Sequence, residues 1–310
     1  MNLVFFDEVL LQIQNLHMIN RLDPFQKYMI QIIKQICLAS CWILFLSVKV
    51  GGSTLNNSNM NNKQVKIAMA QILCVDGDLS GNLIRIENAL KEAKEQQAEL
   101  IVFPESSLLG WENPDAHKRA YPIPGDDSKK ICQLAQKYKM YICIGLDEKE
   151  GDKLYDSAIL IDDHGTILLK HRKINVLPEL MTPPYSVGKG VQVVQTKFGK
   201  IGIMICADSM QGNLLDEMKS KKPDLLLIPY GWAAPEKDWP QHGQELVKVV
   251  KKAAIHIGCP VVGADLIGQI SHGPWLGQVY GGQSVFYNPV NGELVVGKDR
   301  ERDIVLITVK

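Results

Sequence analysis

The sequence predicts an α/β protein that has enough strands for two sheets, with helices on the outside. Short apolar runs, typical of buried strands, alternate with longer segments whose apolar residues recur at helical spacing. The apolar content of 46% is ordinary for a globular protein. The roughly 245 residues that follow the N-terminal region are enough for one large core.

The strands are indicated by apolar runs that end at turn-forming residues. The segment Asp-Asp-His-Gly at 162–165 separates two such runs and is typical of a hairpin. A second turn, over 288–292, precedes the two closing strands. The predicted strands are 65–71, 100–103, 141–146, 155–161, 166–170, 201–205, 224–228, 260–265, 283–287, 293–296 and 303–309.

The helices are indicated by apolar residues three or four positions apart. In the first of them, Leu83, Ile86 and Leu90 fall on one face and charged residues cover the other. The predicted helices are 82–97, one around 131–138, 213–218 and 244–256.

The charge pattern argues against several classes of function. The chain has 34 basic and 34 acidic side chains, and they alternate without forming a basic stripe, so we expect no nucleic-acid partner. Its 7 histidines form no H-E-x-x-H motif. The Gly188–Gly190 segment is too short for a phosphate-binding loop. We therefore expect no metal and no cofactor.

Cys206 stands where a buried apolar strand gives way to the start of a helix. Ile201, Ile203 and Ile205 alternate with small or apolar residues before it, and turn-forming residues follow it. A buried cysteine is ordinarily inert packing. At this position, however, unpaired backbone N–H groups favour a thiolate and can bind an oxyanion. Cys206 is therefore a candidate nucleophile that needs a base and a cation.

Two other predicted strands end in charged residues of these kinds. Pro104 ends the strand over 100–103 and leaves Glu105 just beyond it. Lys173 stands at the basic end of the strand over 166–170. Either residue alone would ordinarily be a solvated surface group. An acid, an amine and a thiol at three strand ends together indicate a catalytic site.

In this chain order and context, the three residues resemble those of the nitrilase superfamily, the carbon-nitrogen hydrolases. The family's motifs match Phe-Pro-Glu at 103–105, Arg-Lys at 172–173 and Ile-Cys at 205–206, and the resemblance extends from about Val65 to the C-terminus. It implies a four-layer αββα sandwich, in which two mixed sheets pack together and helices cover the outer faces. It also implies an active site at the strand ends and a homodimer.

The resemblance implies a role for each residue. Cys206 attacks the carbonyl or nitrile carbon, and Glu105 is the general base in a site kept dry so that the carboxylate is basic enough. Lys173 and the backbone N–H of Ala207 stabilise the oxyanion. A second glutamate, which often follows the lysine in the family, corresponds to Glu179. It would hold Lys173 or orient the substrate, and an exposed loop carboxylate is the ordinary alternative.

The sequence departs from the family around the nucleophile. Many relatives have a bulky aromatic residue after the cysteine and an arginine soon after the aspartate, whereas this chain has Ala207 and then Asp208-Ser209-Met210. The resemblance therefore says less about the substrate of this chain than about its reaction chemistry. Tyr230 and Trp232, which follow the strand over 224–228, are the candidates for the substrate pocket.

These observations predict a thiol-dependent hydrolase that acts on a non-peptide carbon-nitrogen bond of a small molecule. A linear amide is preferred, an N-carbamoyl compound or a nitrile is the other candidate, and ammonia or an amine leaves. The alternative is an acyl-transferring or non-catalytic relative of the same fold. No G-x-S-x-G motif occurs, so an α/β-hydrolase has little support.

The N-terminal region has a different character. Residues 36–48 form an uncharged apolar run that fits a signal-peptide core better than a spanning helix of about 20 residues. We expect a leader over 1–53, a polar linker over 54–63 and the hydrolase domain over 64–310. The protein would then be exported, to the periplasm or outside the cell, or attached to a membrane by this segment. It would be cytoplasmic if the start of the chain is wrongly assigned.

Overall fold

The structure, a computed structural model, describes residues 64–310. The predicted leader over 1–53 and the linker over 54–63 lie outside the described residues. Within 64–310, no helix has the length and apolar character needed to cross a bilayer.

Fifteen strands and five α-helices form the described part of the chain. The strands are β1 (Val65–Gln71), β2 (Leu100–Val102), β3 (Tyr141–Glu150), β4 (Lys153–Ile161), β5 (Ile167–Arg172), β6 (Val193–Thr196), β7 (Gly199–Ile203), β8 (Leu225–Pro229), β9 (Ala233–Ala234), β10 (Val261–Ala264), β11 (Ile267–Gln269), β12 (Val279–Gly281), β13 (Val285–Tyr287), β14 (Leu294–Val296) and β15 (Asp303–Val309). The α-helices are α1 (Leu79–Glu95), α2 (Ala116–Arg119), α3 (Asp126–Tyr138), α4 (Gly212–Ser220) and α5 (Gln241–Ile257). Two short 3-10 helices cover Cys206–Met210 and Glu236–Asp238.

Most strands belong to two six-stranded mixed sheets. The first has the order β15-β1-β2-β3-β4-β5, with β1, β2 and β3 parallel and the other pairs antiparallel. The second has the order β14-β13-β10-β8-β7-β6, with β10, β8 and β7 parallel. The short strands β11, β12 and β9 form a small third sheet.

The alternation of side chains along β1 shows how the layers pack. Ile67 and Met69 belong to the core cluster that contains residues of both large sheets, so this face meets the second sheet. Ala68 and Ala70 face the other way and pack with α1 and α3. On the second sheet, α5 packs against β10 and β13, and α4 packs beside α5. The predicted αββα sandwich is confirmed.

The helix ends follow local chemistry. Asp78 caps α1, since its side chain accepts a hydrogen bond from the backbone N–H of Gly81 at 3.0 Å. Helix α5 ends at Gly258, whose φ of +88° is a left-handed conformation that glycine adopts without steric cost. The helix therefore stops where β10 must begin.

The structure extends β3 beyond the predicted end at residue 146. Asp147 and Glu148 lie beyond that end, yet they are buried inside the strand. Glu148 accepts hydrogen bonds from Lys170, Arg172 and Ser157 on the neighbouring strands, which compensates for its burial. The pairing of β3 with β4 continues through this charged stretch. The sequence of β3 or of β4 alone does not reveal this pairing.

Candidate active site

The ends of β2, β5 and β7 bring Glu105, Lys173 and Cys206 to one place. Glu105 lies three residues beyond β2, Lys173 directly follows β5, and Cys206 begins the 3-10 helix after β7. The Lys173 ammonium donates a hydrogen bond to Oε1 of Glu105 at 2.5 Å. Glu105 is 0% exposed and Lys173 is 1% exposed, so the pair is removed from water.

Asp156 of β4 is the second acidic partner of the lysine. Its Oδ2 atom lies 3.2 Å from Nζ of Lys173, and its backbone carbonyl accepts from the Lys173 N–H at 2.8 Å. Burial lowers the pKa of Lys173, but Glu105 and Asp156 outweigh it and hold that pKa well above its usual range. Burial, together with the Glu105 charge, raises the pKa of Asp156. The lysine is therefore a fixed cation in a dry acidic cluster.

The second oxygen of Glu105 lies beside Gly231, which is also a neighbour of the nucleophile. Among residues 64–310, Oε2 of Glu105 has no hydrogen-bond partner, although it is buried. It lies 3.1 Å from the point that a Cβ atom on Gly231 would occupy. The backbone N–H of the same Gly231 acts to lower the pKa of the Cys206 thiol. The absence of a side chain on Gly231 thus leaves room for the free carboxylate oxygen.

The turn that carries Cys206 is strained. Its φ of +41° is left-handed, which costs a non-glycine residue about 1–3 kcal/mol. Ser209 holds the turn closed, since its hydroxyl donates to the Cys206 carbonyl at 2.7 Å. The Ser209 hydroxyl also lies 2.9 Å from the Tyr230 hydroxyl. Strain of this kind is typical of a side chain that is presented for reaction.

The surroundings of the Cys206 thiol favour its protonated form. Burial raises its pKa, and the nearby Glu105 carboxylate raises it further. Lys173 and the Gly231 N–H act in the opposite direction, but the pKa remains well above its ordinary value. Because a thiol is a weak nucleophile, attack on a substrate requires a base that removes this proton.

Asp208 ties the lysine segment to the nucleophile turn. Its carboxylate accepts from the backbone N–H groups of Ile174 at 2.9 Å and Asn175 at 2.7 Å, just after Lys173. It also accepts from the Ile205 N–H at 3.2 Å and lies 2.8 Å from Nε2 of His171. Burial raises the pKa of Asp208, but these hydrogen bonds outweigh it and lower that pKa. One ionised side chain therefore fixes the spacing of two catalytic candidates.

A cavity of about 290 Å³ opens in front of Cys206. Cys206 and Ala207 form part of its wall, as the sequence predicted for a substrate site. The other lining residues are Trp111, Asn175, Leu177, Met210, Gln211, Gly231, Trp232, Ala233, His242 and Trp275. Trp232 is therefore where it was expected. Tyr230 is 0% exposed and lies behind the cavity, not in its wall, because its hydroxyl turns toward Ser209.

The structure does not place Glu179 in the cluster. Glu179 lies in an exposed turn after Lys173, which is the ordinary alternative for a loop carboxylate. The expectation that it holds Lys173 is corrected, since Asp156 makes that contact. Asp156 lies near Lys173 because β4 pairs with β5. Glu179, in contrast, is exposed in the loop at 177–180.

Glu112 is an acidic residue that the sequence reasoning missed. It is 4% exposed, and within the described residues neither of its carboxylate oxygens has a hydrogen-bond partner. Burial raises the pKa of Glu112 to about 8, with Glu105 adding to the effect and Lys173 opposing it. Nothing in its local sequence marks it, because a Trp-Glu-Asn loop segment is usually solvated. Among residues 64–310, no group of three or more His, Cys, Asp or Glu side chains is arranged to hold a metal ion.

Comparison with known proteins identifies the family. The sequence profile described as carbon-nitrogen hydrolase matches residues 66–310. The chain belongs to the carbon-nitrogen hydrolase family, within the nitrilase superfamily.

The chain is similar to curated enzymes of two kinds. It is 27% identical to a bifunctional nitrilase/nitrile hydratase from Nicotiana tabacum, in a match that covers 60% of this chain and 57% of that enzyme. It is 28% identical to an omega-amidase from Bos taurus, over 53% of this chain and 62% of that protein. The chain thus spans little more than half the length of these relatives.

Solved structures share the fold. An amidase of the nitrilase superfamily from Nesterenkonia superimposes with a TM-score of 0.69 at 20% identity, covering 79% of this chain and 90% of the amidase. A carbon-nitrogen hydrolase from Helicobacter pylori also gives a TM-score of 0.69, at 19% identity over 80% of this chain and 90% of that one.

Proposed function

We propose that this hydrolase cleaves a small linear amide through a thioester on Cys206. The observation that carries the proposal is the free Oε2 atom of Glu105 beside the segment that contacts the Cys206 sulfur, with Lys173 on the other carboxylate oxygen. In one structure of the Nesterenkonia amidase, the acetamide moiety of fluoroacetamide is bound covalently to the active-site cysteine. That chemistry supports a sulfur nucleophile here.

During acylation, one proton moves from the Cys206 thiol to Glu105 and then from Glu105 to the leaving nitrogen. Oε2 of Glu105 removes the thiol proton as the Cys206 sulfur attacks the carbonyl carbon, and the carbonyl oxygen becomes an oxyanion. Lys173 and the backbone N–H of Ala207 stabilise this oxyanion. The carbon-nitrogen bond then breaks, and Glu105 returns the proton to the leaving nitrogen. Ammonia departs and a thioester remains.

Deacylation repeats the proton transfer with water. Glu105 takes a proton from the water molecule that attacks the thioester carbon. The carbon-sulfur bond breaks, the sulfur regains the proton, and a carboxylic acid leaves. The same thioester is the species that an amine would attack in the acyl-transfer alternative. A nitrile would enter by the same nucleophile, because its carbon accepts the thiolate.

Ammonia release by the purified full-length chain tests the proposal. We expect release from primary amides that is faster than release from matched nitriles or N-carbamoyl compounds, and no release by Cys206→Ala. A parallel reaction with added hydroxylamine measures acyl transfer, because hydroxylamine attacks the thioester and yields a hydroxamate. A Cys206→Ala variant that keeps full turnover would remove the proposed nucleophile. Faster turnover of the nitriles would move the assignment to nitrilase.

A further inference from the structure

The lining of the cavity in front of Cys206 includes two aromatic pairs. The rings of Trp111 and Trp275 lie 5.6 Å apart between centroids, tilted by 47°. Trp232 stacks on His242 at 5.2 Å with an interplanar angle of 22°. All four residues line the cavity. Its size, about 290 Å³, is at the small end of ligand pockets.

The lining of this cavity is uncharged. Among the described residues that form its wall, none is Asp, Glu, Lys or Arg. Burial lowers the pKa of His242, so its imidazole is neutral at pH 7. Lys173, the proposed oxyanion donor at the reacting carbon, is not among the lining residues and is held by Glu105 and Asp156. An anionic group at the far end of the acyl chain would lose water and meet no charged residue in the lining.

We infer that the acyl part of the substrate is uncharged and apolar, and that it ends in a flat aryl group packed against these aromatic pairs. The inference rests on the proposed function and names the substrate class for that site. A flat ring gains both burial and ring–ring contacts with the tryptophans. A carboxylate at the same position would meet no oppositely charged residue in the lining. The site therefore discriminates by dehydration and shape.

Binding to the Cys206→Ala variant tests this without turnover. The probes are 3-phenylpropanamide and succinamate, which share the chain between amide and end group and differ in a phenyl or a carboxylate. Quenching of tryptophan fluorescence, checked by calorimetry, gives both dissociation constants. We expect the phenyl amide to bind at least about 100-fold more tightly. Equal or tighter binding of succinamate would overturn the inference, and so would the absence of saturable binding of the phenyl amide.

Two neighbouring variants of the wild-type enzyme locate the effect. Trp275→Ala removes part of one wall, whereas Leu276→Ala changes an adjacent residue that is 67% exposed and does not line the cavity. We expect Trp275→Ala to lower kcat/KM for 3-phenylpropanamide relative to propanamide by about tenfold, and Leu276→Ala to leave that ratio within about twofold. Because both amides report on the same enzyme molecules, the ratio is independent of partial misfolding. An unchanged ratio in Trp275→Ala would contradict the aromatic wall.

The two proposals fail in different ways. If no amide is hydrolysed while Cys206→Ala still prefers the phenyl amide, the proposed reaction is wrong and the ligand class stands. If amides are hydrolysed with a preference for succinamate, the reaction stands and the ligand class is wrong.

Discussion

Two regions of opposite chemistry meet at the Cys206 sulfur. Behind it, Lys173 is enclosed by the carboxyl groups of Glu105 and Asp156, all of them buried. In front of it, the cavity is lined by indole rings and uncharged side chains. In the proposed reaction, the charged region supplies the groups that act on the carbonyl of any amide. In the same proposal, the aromatic region contacts the part of the substrate that does not react.

This division predicts how substitutions separate. Changes in the charged cluster should lower kcat for every substrate by a similar factor, because the proton and oxyanion steps are shared. Changes in the cavity wall should alter the ratio between substrates. A substitution in the charged cluster that changed the ratio between substrates, or one in the cavity wall that lowered kcat equally for all of them, would contradict this division.

The largest effect is expected for Glu105→Gln. An amide cannot take the thiol proton, so kcat should fall by at least about 1,000-fold for phenyl and alkyl amides alike. Single-turnover ammonia release measures this loss. The matched control is Glu179→Gln, which makes the same change at an exposed position and should leave kcat within about twofold. A strong loss of kcat in Glu179→Gln, without one in Glu105→Gln, would show that Glu179 has the role of the second catalytic glutamate.

A slightly smaller loss is expected for Lys173→Met, together with lower stability. Loss of the cation removes one oxyanion donor, for which we expect kcat to fall by about 100-fold or more. The carboxylates left behind are buried and uncompensated, which should lower the free energy of unfolding by about 3–5 kcal/mol. Guanidinium denaturation measures the stability. A surface pair provides the control, since Lys197→Met removes the contact of Lys197 with Asp163 and should cost less than about 1 kcal/mol. Equal losses in the two variants would show that the Lys173 cluster is not dry.

The effect expected at Glu112 is the smallest on activity, because it concerns stability and is seen as a dependence on pH. Because burial raises the pKa of Glu112 to about 8, the folded state holds a proton that the unfolded chain releases above its usual value of 4.5. The free energy of unfolding should therefore fall as pH rises between about 4.5 and 8, by on the order of 1 kcal/mol per pH unit from this group. Glu112→Gln should flatten that fall, whereas Glu179→Gln should retain it. Parallel curves for Glu112→Gln and wild type, from denaturation at several pH values, would contradict the burial of this group.

The sequence was most informative where chemistry and strand pattern coincide. The bounds of β1 and β15 are as predicted, and Glu105, Lys173 and Cys206 meet as expected, because each follows a strand of strong apolar pattern. Asp156 was not found, since its role depends on the pairing of β4 with β5 across the turn at 162–166. The pairing that brings it to the lysine is a property of the whole sheet.

The cavity wall was predicted only in part for a related physical reason. Trp232 follows β8 closely and could be placed, whereas Trp111 and Trp275 come from loops 164 positions apart. No local pattern relates two such loops, because they meet only in a separate core cluster that includes Ala233 and Tyr280 of the small third sheet. Tyr230 shows the converse error: its position after β8 is right, but its hydroxyl turns inward to Ser209.

The most direct test of the charged cluster is to trap the acyl group. Wild-type enzyme mixed with 3-phenylpropanamide, quenched in acid within the first turnover and digested, should yield the peptide that contains Cys206 with the mass of one phenylpropanoyl group. In Glu105→Gln the same peptide should stay unmodified over that time. Ammonia release in wild type with Cys206 unmodified, or with the acyl group on Cys74 or on a carboxylate, would contradict the account.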